Sequence, residues 1–172
     1  MQVLEQTTES PSFNFSFEEK QGDLFKDAPS TDSLVHCVSQ DLRMGKGIAT
    51  MFKNLYSGIG ELKSQNKKVG QVAYLLRENR YIYYMITKMY YYNKPRKQDF
   101  EASLKELKSL CENQGVTGLS MPRIGAGLDK LDLDYVIETV KEIFKDKIRY
   151  SKLSFILLED LFTLFGNIIT PI

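Results

Sequence analysis

The segment "MPRIGAGLDK" (residues 121–130) decides the fold, because two glycines within it join a predicted strand to a predicted helix. Residues 116–121 form a short, mostly apolar run that predicts an interior strand. After the loop, apolar residues recur at helical spacing: Leu133, Val136, Ile137, Val140, Ile143 and Phe144. Asp132 is placed to cap this helix. Such a loop turns backbone N–H groups and a helix N-terminus towards one point, which favours binding of phosphate.

A second glycine loop occurs in "RMGKGIA" (residues 43–49), between a predicted strand at 33–38 and a helix that begins at Ile48. One Gly-x-Gly is weak evidence, because a tight turn with positive φ also requires glycine. Two such loops, each between a strand and a helix, suit the two phosphates of a diphosphate. A Rossmann dinucleotide site needs a third glycine three residues further on, and neither loop has one.

The other predicted elements are strands at residues 13–17, 72–76 and 81–87 and a helix at residues 98–114. Asn79 supplies a left-handed residue for a hairpin turn, and Gly115 a C-terminal cap for the helix. Strands and helices alternate through most of the chain. This order predicts a mixed sheet covered by helices.

Composition limits the classes of partner. The 172 residues include 23 basic and 22 acidic side chains, so the net charge is +1 and we expect no direct nucleic-acid partner and no membrane partner. His36 is the only histidine and Cys37 and Cys111 the only cysteines, so we predict no metal site and no disulfide framework. The first residues, "MQVLEQTTESPS", predict no secretory signal, and we expect an intracellular monomer.

Four blocks of the chain resemble the macrodomains, and within them the terminal ADP-ribose protein glycohydrolases of the O-acetyl-ADP-ribose deacetylase type. The blocks are "GDLF", "DSLVHCVSQDLRMGKGIA", "YIYYMITK" and "LSMPRIGAGLD", in the family's order, over residues 17–147. The resemblance implies a three-layer α/β/α macrodomain with a central mixed sheet and without a cofactor. It also implies that the ligand is ADP-ribose, with its diphosphate between the two glycine loops.

The same resemblance implies a set of substrate-binding residues. They are Asp23 and Leu24 at the adenine; His36, Ser39 and Thr87 in the cleft; Arg43, Met44, Gly45 and Gly47 in the first loop; and Pro122, Arg123, Ile124, Gly125, Ala126, Gly127 and Leu128 in the second. A histidine inside an apolar strand is equally well read as a core residue, so both interpretations of His36 stay open.

Lys88 and Asp129 are the catalytic residues that the resemblance implies. The lysine attacks the anomeric carbon of the distal ribose and forms a covalent adduct, and the carboxylate assists its resolution. This chemistry needs a lysine with some neutral population and an acid–base group near the sugar. From the residues alone, Lys88 reads as a solvated residue at a strand end and Asp129 as a helix cap.

Two functions follow from this site. The first is a hydrolase that removes ADP-ribose from acidic residues of proteins and also deacylates O-acetyl-ADP-ribose. The second is a reader module that binds ADP-ribose without turnover. By resemblance, the partners are ADP-ribose and ADP-ribosylated proteins, in the nucleus or cytoplasm and in the DNA damage response.

We divide the chain into a flexible lead-in (residues 1–12), the macrodomain (13–150) and an atypical apolar C-terminal extension (151–172). Glu159 and Asp160 within the extension argue against a membrane span. A strand with an amphipathic helix, an interaction surface and an irregular gene model remain alternatives for it. Residues 89–97, "MYYYNKPRK", predict an exposed lid near the site, and its first four residues form an unusually aromatic loop after Lys88.

Overall fold

The computed structural model describes residues 14–123, 131–145 and 152–159. The strands are β1 (Asn14–Gln21), β2 (Ser33–Ser39), β3 (Val72–Arg77), β4 (Arg80–Lys88), β5 (Gly118–Pro122) and β6 (Lys152–Glu159). The helices are α1 (Leu24–Asp27), α2 (Ile48–Tyr56), α3 (Ile59–Ser64), α4 (Lys97–Gln114) and α5 (Leu133–Phe144).

The strands form one mixed sheet in the order β1-β6-β5-β2-β4-β3. β3 is antiparallel to β4, whereas the other neighbouring strands are parallel. Each face of the sheet carries its own apolar cluster, because helices cover both sides: Phe52 of α2 and Leu62 of α3 belong to one, and Phe100 of α4 and Phe144 of α5 to the other. The predicted three-layer α/β/α fold with a mixed sheet is confirmed.

β4 shows why the central strands lack alternating polarity. Its residues 82–87 are all buried, with Ile82 and Tyr84 in one cluster and Tyr83 and Met85 in the other. A strand covered on both faces is expected to be apolar throughout. The local signals at the ends of elements were also predicted: Asn79 has φ 64°, Gly115 has φ 68°, and the Asp132 carboxylate accepts the N–H of Tyr135.

β6 differs from the division of the chain made from sequence. Residues 152–159, assigned above to the C-terminal extension, lie inside the sheet and pair with β1 and β5. The physical reason is burial on both faces, since Ile156, Leu157 and Leu158 are each at most 7% exposed. The short helices α1 and α3 were not predicted. Within the described ranges no helix is long and apolar enough to cross a bilayer.

Candidate active site

The candidate site, called the crevice, is the place between the carboxyl ends of β2 and β5 where the strand order changes direction. After β2 the chain builds β3 and β4 on one side of it, and then β5 and β6 on the other. Ligands of open α/β sheets bind at such a change of direction. Only Ser33 and Leu34 of β2 pair with β5, although β2 continues to Ser39 and β5 to Pro122. The two strands therefore diverge towards the edge from which both glycine loops leave.

Asp32 joins the two strands at the closed end of the crevice. Its carboxylate accepts a hydrogen bond of 2.8 Å from the Ser120 hydroxyl, and both side chains are buried. Burial raises the pKa of Asp32, and the hydrogen bond from Ser120 acts in the opposite direction. This contact keeps β2 and β5 paired at their amino ends while their carboxyl ends separate.

The first glycine loop is fixed by its own side chains. Leu42 and Met44 adopt positive φ values of 52° and 44°, and both side chains are buried. Gly47 begins α2 with φ 59° and ψ −144°, a conformation that only glycine adopts without strain. Gly45 and Gly47 are exposed, and no side chain caps the first turn of α2. The loop therefore presents exposed backbone at a helix N-terminus, which is the arrangement that binds phosphate.

Lys88 lies at the carboxyl end of β4, next to this loop. A register shift places it opposite Ser39, and its carbonyl accepts the N–H of Gln40 at 2.8 Å. The side chain of Lys88 is partly buried, whereas Thr87 is fully buried and its hydroxyl has no hydrogen-bond partner. The fold thus brings Ser39, Lys88 and the first loop together at the crevice.

Only the start of the second loop is described. Pro122 is buried at the end of β5, and the N–H of Arg123 donates to the Leu158 carbonyl at 2.7 Å. The predicted site residues that lie outside the described residues are Ile124, Gly125, Ala126, Gly127, Leu128 and Asp129. Their roles stay predictions.

At the predicted adenine end, Asp23 caps α1. Its carboxylate accepts the N–H of Phe25 at 2.8 Å, and its own N–H donates to the Asp27 carboxylate at 2.6 Å. Leu24 is 3% exposed and belongs to the apolar cluster that includes Phe52 of α2. Contact of either residue with adenine stays a prediction.

His36 lies inside the core. Its ring is fully buried, stacks on Phe52 with centroids 3.7 Å apart, and meets the edge of Tyr84 at 4.7 Å. Neither ring nitrogen has a hydrogen-bond partner, and burial lowers the pKa of His36 to about 3. The imidazole is therefore neutral at physiological pH, and it holds α2 against the sheet.

Asp41 is a further candidate site residue, which was not predicted from the sequence. Its carboxylate accepts hydrogen bonds from the Ser39 hydroxyl and from the N–H groups of Arg43 and Tyr91. It thereby links the first loop to the segment after Lys88. Its nearness to Ser39 was visible as a local Ser-x-Asp pattern, but the contact with Tyr91 spans 50 positions and has no local signal.

Comparisons with known proteins give relatives by sequence and by structure. No model of a protein family matches the chain. The ADP-ribose glycohydrolase OARD1 of Bos taurus is 52% identical over 125 residues, which cover 73% of this chain and 82% of the relative. The Homo sapiens protein of the same name is 51% identical over 125 residues, which again cover 73% of this chain and 82% of the relative.

Solved structures identify the fold. The macrodomain of Thermus aquaticus DarG has a TM-score of 0.71 at 21% identity, covering 85% of this chain and 99% of its own. The DarTG structure of Thermosipho africanus, in complex with ADP-ribose, has a TM-score of 0.67 at 19% identity. The match covers 83% of this chain and 41% of the DarTG chain. The three layers are therefore those of a macrodomain. Together with the sequence relatives, they show that the chain belongs to the macrodomain family of the ADP-ribose glycohydrolase OARD1.

Proposed function

We propose that this chain is a hydrolase that removes ADP-ribose from acidic residues of modified proteins through a lysyl intermediate. The observation that carries the proposal is the position of Lys88 at the carboxyl end of β4, beside the first glycine loop. A module that only binds ADP-ribose needs no nucleophile there. The relatives at 51–52% identity are named ADP-ribose glycohydrolases, which supports a hydrolase that acts on ADP-ribose linkages.

The ligand is ADP-ribose, and the crevice between β2 and β5 takes its diphosphate. The uncapped first turn of α2 supports one phosphate contact, and the loop after Pro122 supplies the second. Asp23 and Leu24 bind the adenine. This orientation leaves the distal ribose at the end of the crevice that carries Lys88.

In the first step the neutral amine of Lys88 attacks the anomeric carbon of the distal ribose. The new bond joins the lysine nitrogen to this carbon, and the bond between the carbon and the acyl oxygen of the modified Glu or Asp breaks. The protein carboxylate leaves with the electron pair, and the lysine nitrogen loses a proton to solvent or to a nearby base. Covalent catalysis of this kind divides one difficult substitution into two easier ones.

In the second step a water molecule replaces the lysine at the anomeric carbon. Asp129 accepts a proton from the water, and the lysine nitrogen recovers a proton as its bond to the sugar breaks. The products are free ADP-ribose and the unmodified carboxylate. O-acetyl-ADP-ribose also carries an acyl ester on the distal ribose, so we propose it as a second substrate.

The test uses Lys88→Ala with release of ADP-ribose from a glutamate-modified protein as the readout. Release should fall to background while the affinity for ADP-ribose stays within about threefold, because the phosphate contacts are made elsewhere. Lys105→Ala, which removes an exposed lysine from α4, is the matched control and should keep full activity. Normal turnover by Lys88→Ala would refute the assignment.

Asp129→Ala should fail at the second step. The variant should accumulate a covalent adduct, seen by intact mass spectrometry as protein plus one ADP-ribose, and the adduct should be absent from the variant that also lacks Lys88. A wild-type chain that binds ADP-ribose but releases none would favour the reader function instead.

A further inference from the structure

An aromatic segment, defined as residues 89–92, follows Lys88 directly. Met89 is 45% exposed, and Tyr90, Tyr91 and Tyr92 are 47%, 45% and 64% exposed. These four account for most of the large exposed hydrophobic residues in the described part of the chain; the others are Met51, Leu55 and Leu76. A concentration of exposed aromatic surface at one place marks an interaction site.

The aromatic segment is ordered by contacts of its own. The rings of Tyr90 and Tyr92 stack with centroids 5.4 Å apart and 9° between their planes, and Tyr91 meets Tyr92 edge-on at 5.3 Å. The Asn93 side chain accepts the N–H of Tyr90, and the Tyr90 carbonyl accepts the N–H of Asn93. The tyrosines therefore form a preorganised surface, which loses little side-chain entropy when a partner binds.

The segment is continuous with the crevice. The N–H of Asp41 donates to the Met89 carbonyl, and the Asp41 carboxylate accepts the N–H of Tyr91. The guanidinium of Arg43, in the first glycine loop, lies 4.2 Å from the centroid of the Tyr91 ring. Tyr90 is two residues from Lys88, so their Cα atoms are within about 7.6 Å of each other. The aromatic segment therefore begins directly beside Lys88, the proposed nucleophile.

We propose that the aromatic segment and Arg43 dock the polypeptide that carries the ADP-ribose. The inference rests on the proposed function: the group that leaves the anomeric carbon is a protein side chain, so its polypeptide must emerge beside Lys88. Tyrosine and arginine are enriched at protein–protein interfaces, and tyrosine provides large contact area with few rotatable bonds.

The charge of the region defines the kind of polypeptide. Residues 89–97 contain three basic side chains, Lys94, Arg96 and Lys97, and no acidic one. Asp99 pairs with Arg96 at 2.8 Å, while Lys94 is exposed next to the tyrosines. Acidic sequence around a modified Glu or Asp complements this charge. The overall net charge of +1 does not favour a long polyanion.

The test compares the affinities for free ADP-ribose and for an acidic peptide that carries ADP-ribose through a non-hydrolysable amide link. The wild-type chain should bind the peptide at least tenfold more tightly. Tyr90→Ala with Tyr92→Ala should abolish this gain and leave the affinity for ADP-ribose within twofold. Tyr90→Phe with Tyr92→Phe should preserve the gain because the rings remain, and Leu76→Ala should do so because it removes an exposed apolar side chain elsewhere.

Equal wild-type affinities for the two ligands would overturn the proposal, and so would an equal loss for both ligands in the alanine variant. A third outcome would also overturn the proposal. If a single-stranded oligonucleotide binds the wild type but not the alanine variant, while both bind the peptide equally, the aromatic segment binds nucleic acid instead. The measurement needs no turnover. If the peptide gain is present but an ester-linked peptide is not hydrolysed, the proposed hydrolysis fails while the docking surface stands.

Discussion

At the residue scale, His36 shows how a single position can be ambiguous in sequence and definite in structure. β2 is buried along its whole length, so alternation cannot tell a residue that faces the ligand from one that faces a helix. The answer depends on Phe52, which is 16 positions further on and stacks on the imidazole. A contact of this kind comes from the packing of α2 on the sheet and leaves no local pattern.

The buried imidazole predicts a loss of stability in acid. Burial lowers the pKa of His36 to about 3 in the folded chain, while an unfolded histidine titrates near 6.5. Between these values the unfolded state binds one more proton, so the free energy of unfolding falls as the pH falls through this window. The contribution of one proton is at most about 1.4 kcal/mol per pH unit.

His36→Phe should remove this contribution while keeping a ring against Phe52. Urea unfolding of the wild type and the variant at several pH values between 4 and 7 measures it: the difference in unfolding free energy should shift in favour of the variant as the pH is lowered. Parallel curves for the two proteins would show that His36 is not the responsible group.

At the element scale, the edge strand β3 is protected by side chains from two helical regions. The side chain of Gln65, just after α3, accepts the N–H of Tyr74 at 3.0 Å and donates to its carbonyl at 2.7 Å. Glu106 of α4 accepts the N–H of Val72 at 2.8 Å. Exposed strand edges are sites for pairing with other chains, and these contacts occupy part of the edge.

Gln65→Ala should lower the free energy of unfolding by about 1–3 kcal/mol, since two hydrogen bonds worth about 0.5–1.5 kcal/mol each are lost. Gln98→Ala, at an exposed position on α4, is the matched control and should change it by less than about 0.5 kcal/mol. Chemical denaturation monitored by circular dichroism gives both values. If the two substitutions have the same effect, the amide contacts do not stabilise the edge.

The elements that were predicted best from the sequence are those that contain their own apolar pattern, cap or turn residue. The helix at residues 133–144 has an apolar stripe and the Asp132 cap, and the hairpin has Asn79 at its turn. α1 and α3 were missed because four and six residues are too few for a helical period. β6 was placed outside the domain because a strand buried on both faces has no period of two, and a second apolar run follows Glu159 and Asp160.

At the scale of the whole molecule, the candidate site joins segments that are distant in sequence. Its described parts are the loop after β2, the end of β4 and the start of the loop after β5, and the strand order brings them to one edge. The glycines predicted two phosphate loops that suit one diphosphate, and the family resemblance implied the same ligand. Periodicity gives each element and does not give the order of strands in the sheet. The contact of Asp41 with Tyr91 depends on that order.

The crevice predicts how the chain discriminates among nucleotides. In the proposed function the two glycine loops each bind one phosphate, so ADP-ribose should bind more tightly than AMP or ribose 5-phosphate, which each keep one phosphate and one end of the ligand. A ligand that binds only the folded state stabilises it by about 2.7 kcal/mol at 100 times its Kd. At equal concentration, ADP-ribose should therefore raise the melting temperature more than AMP or ribose 5-phosphate. It should also raise it more than a mixture of the two fragments, because in ADP-ribose the second phosphate binds without a further loss of translational freedom. Calorimetric titration of the three ligands gives the affinities directly, and equal affinities for ADP-ribose and AMP would show that the two loops do not act on one ligand.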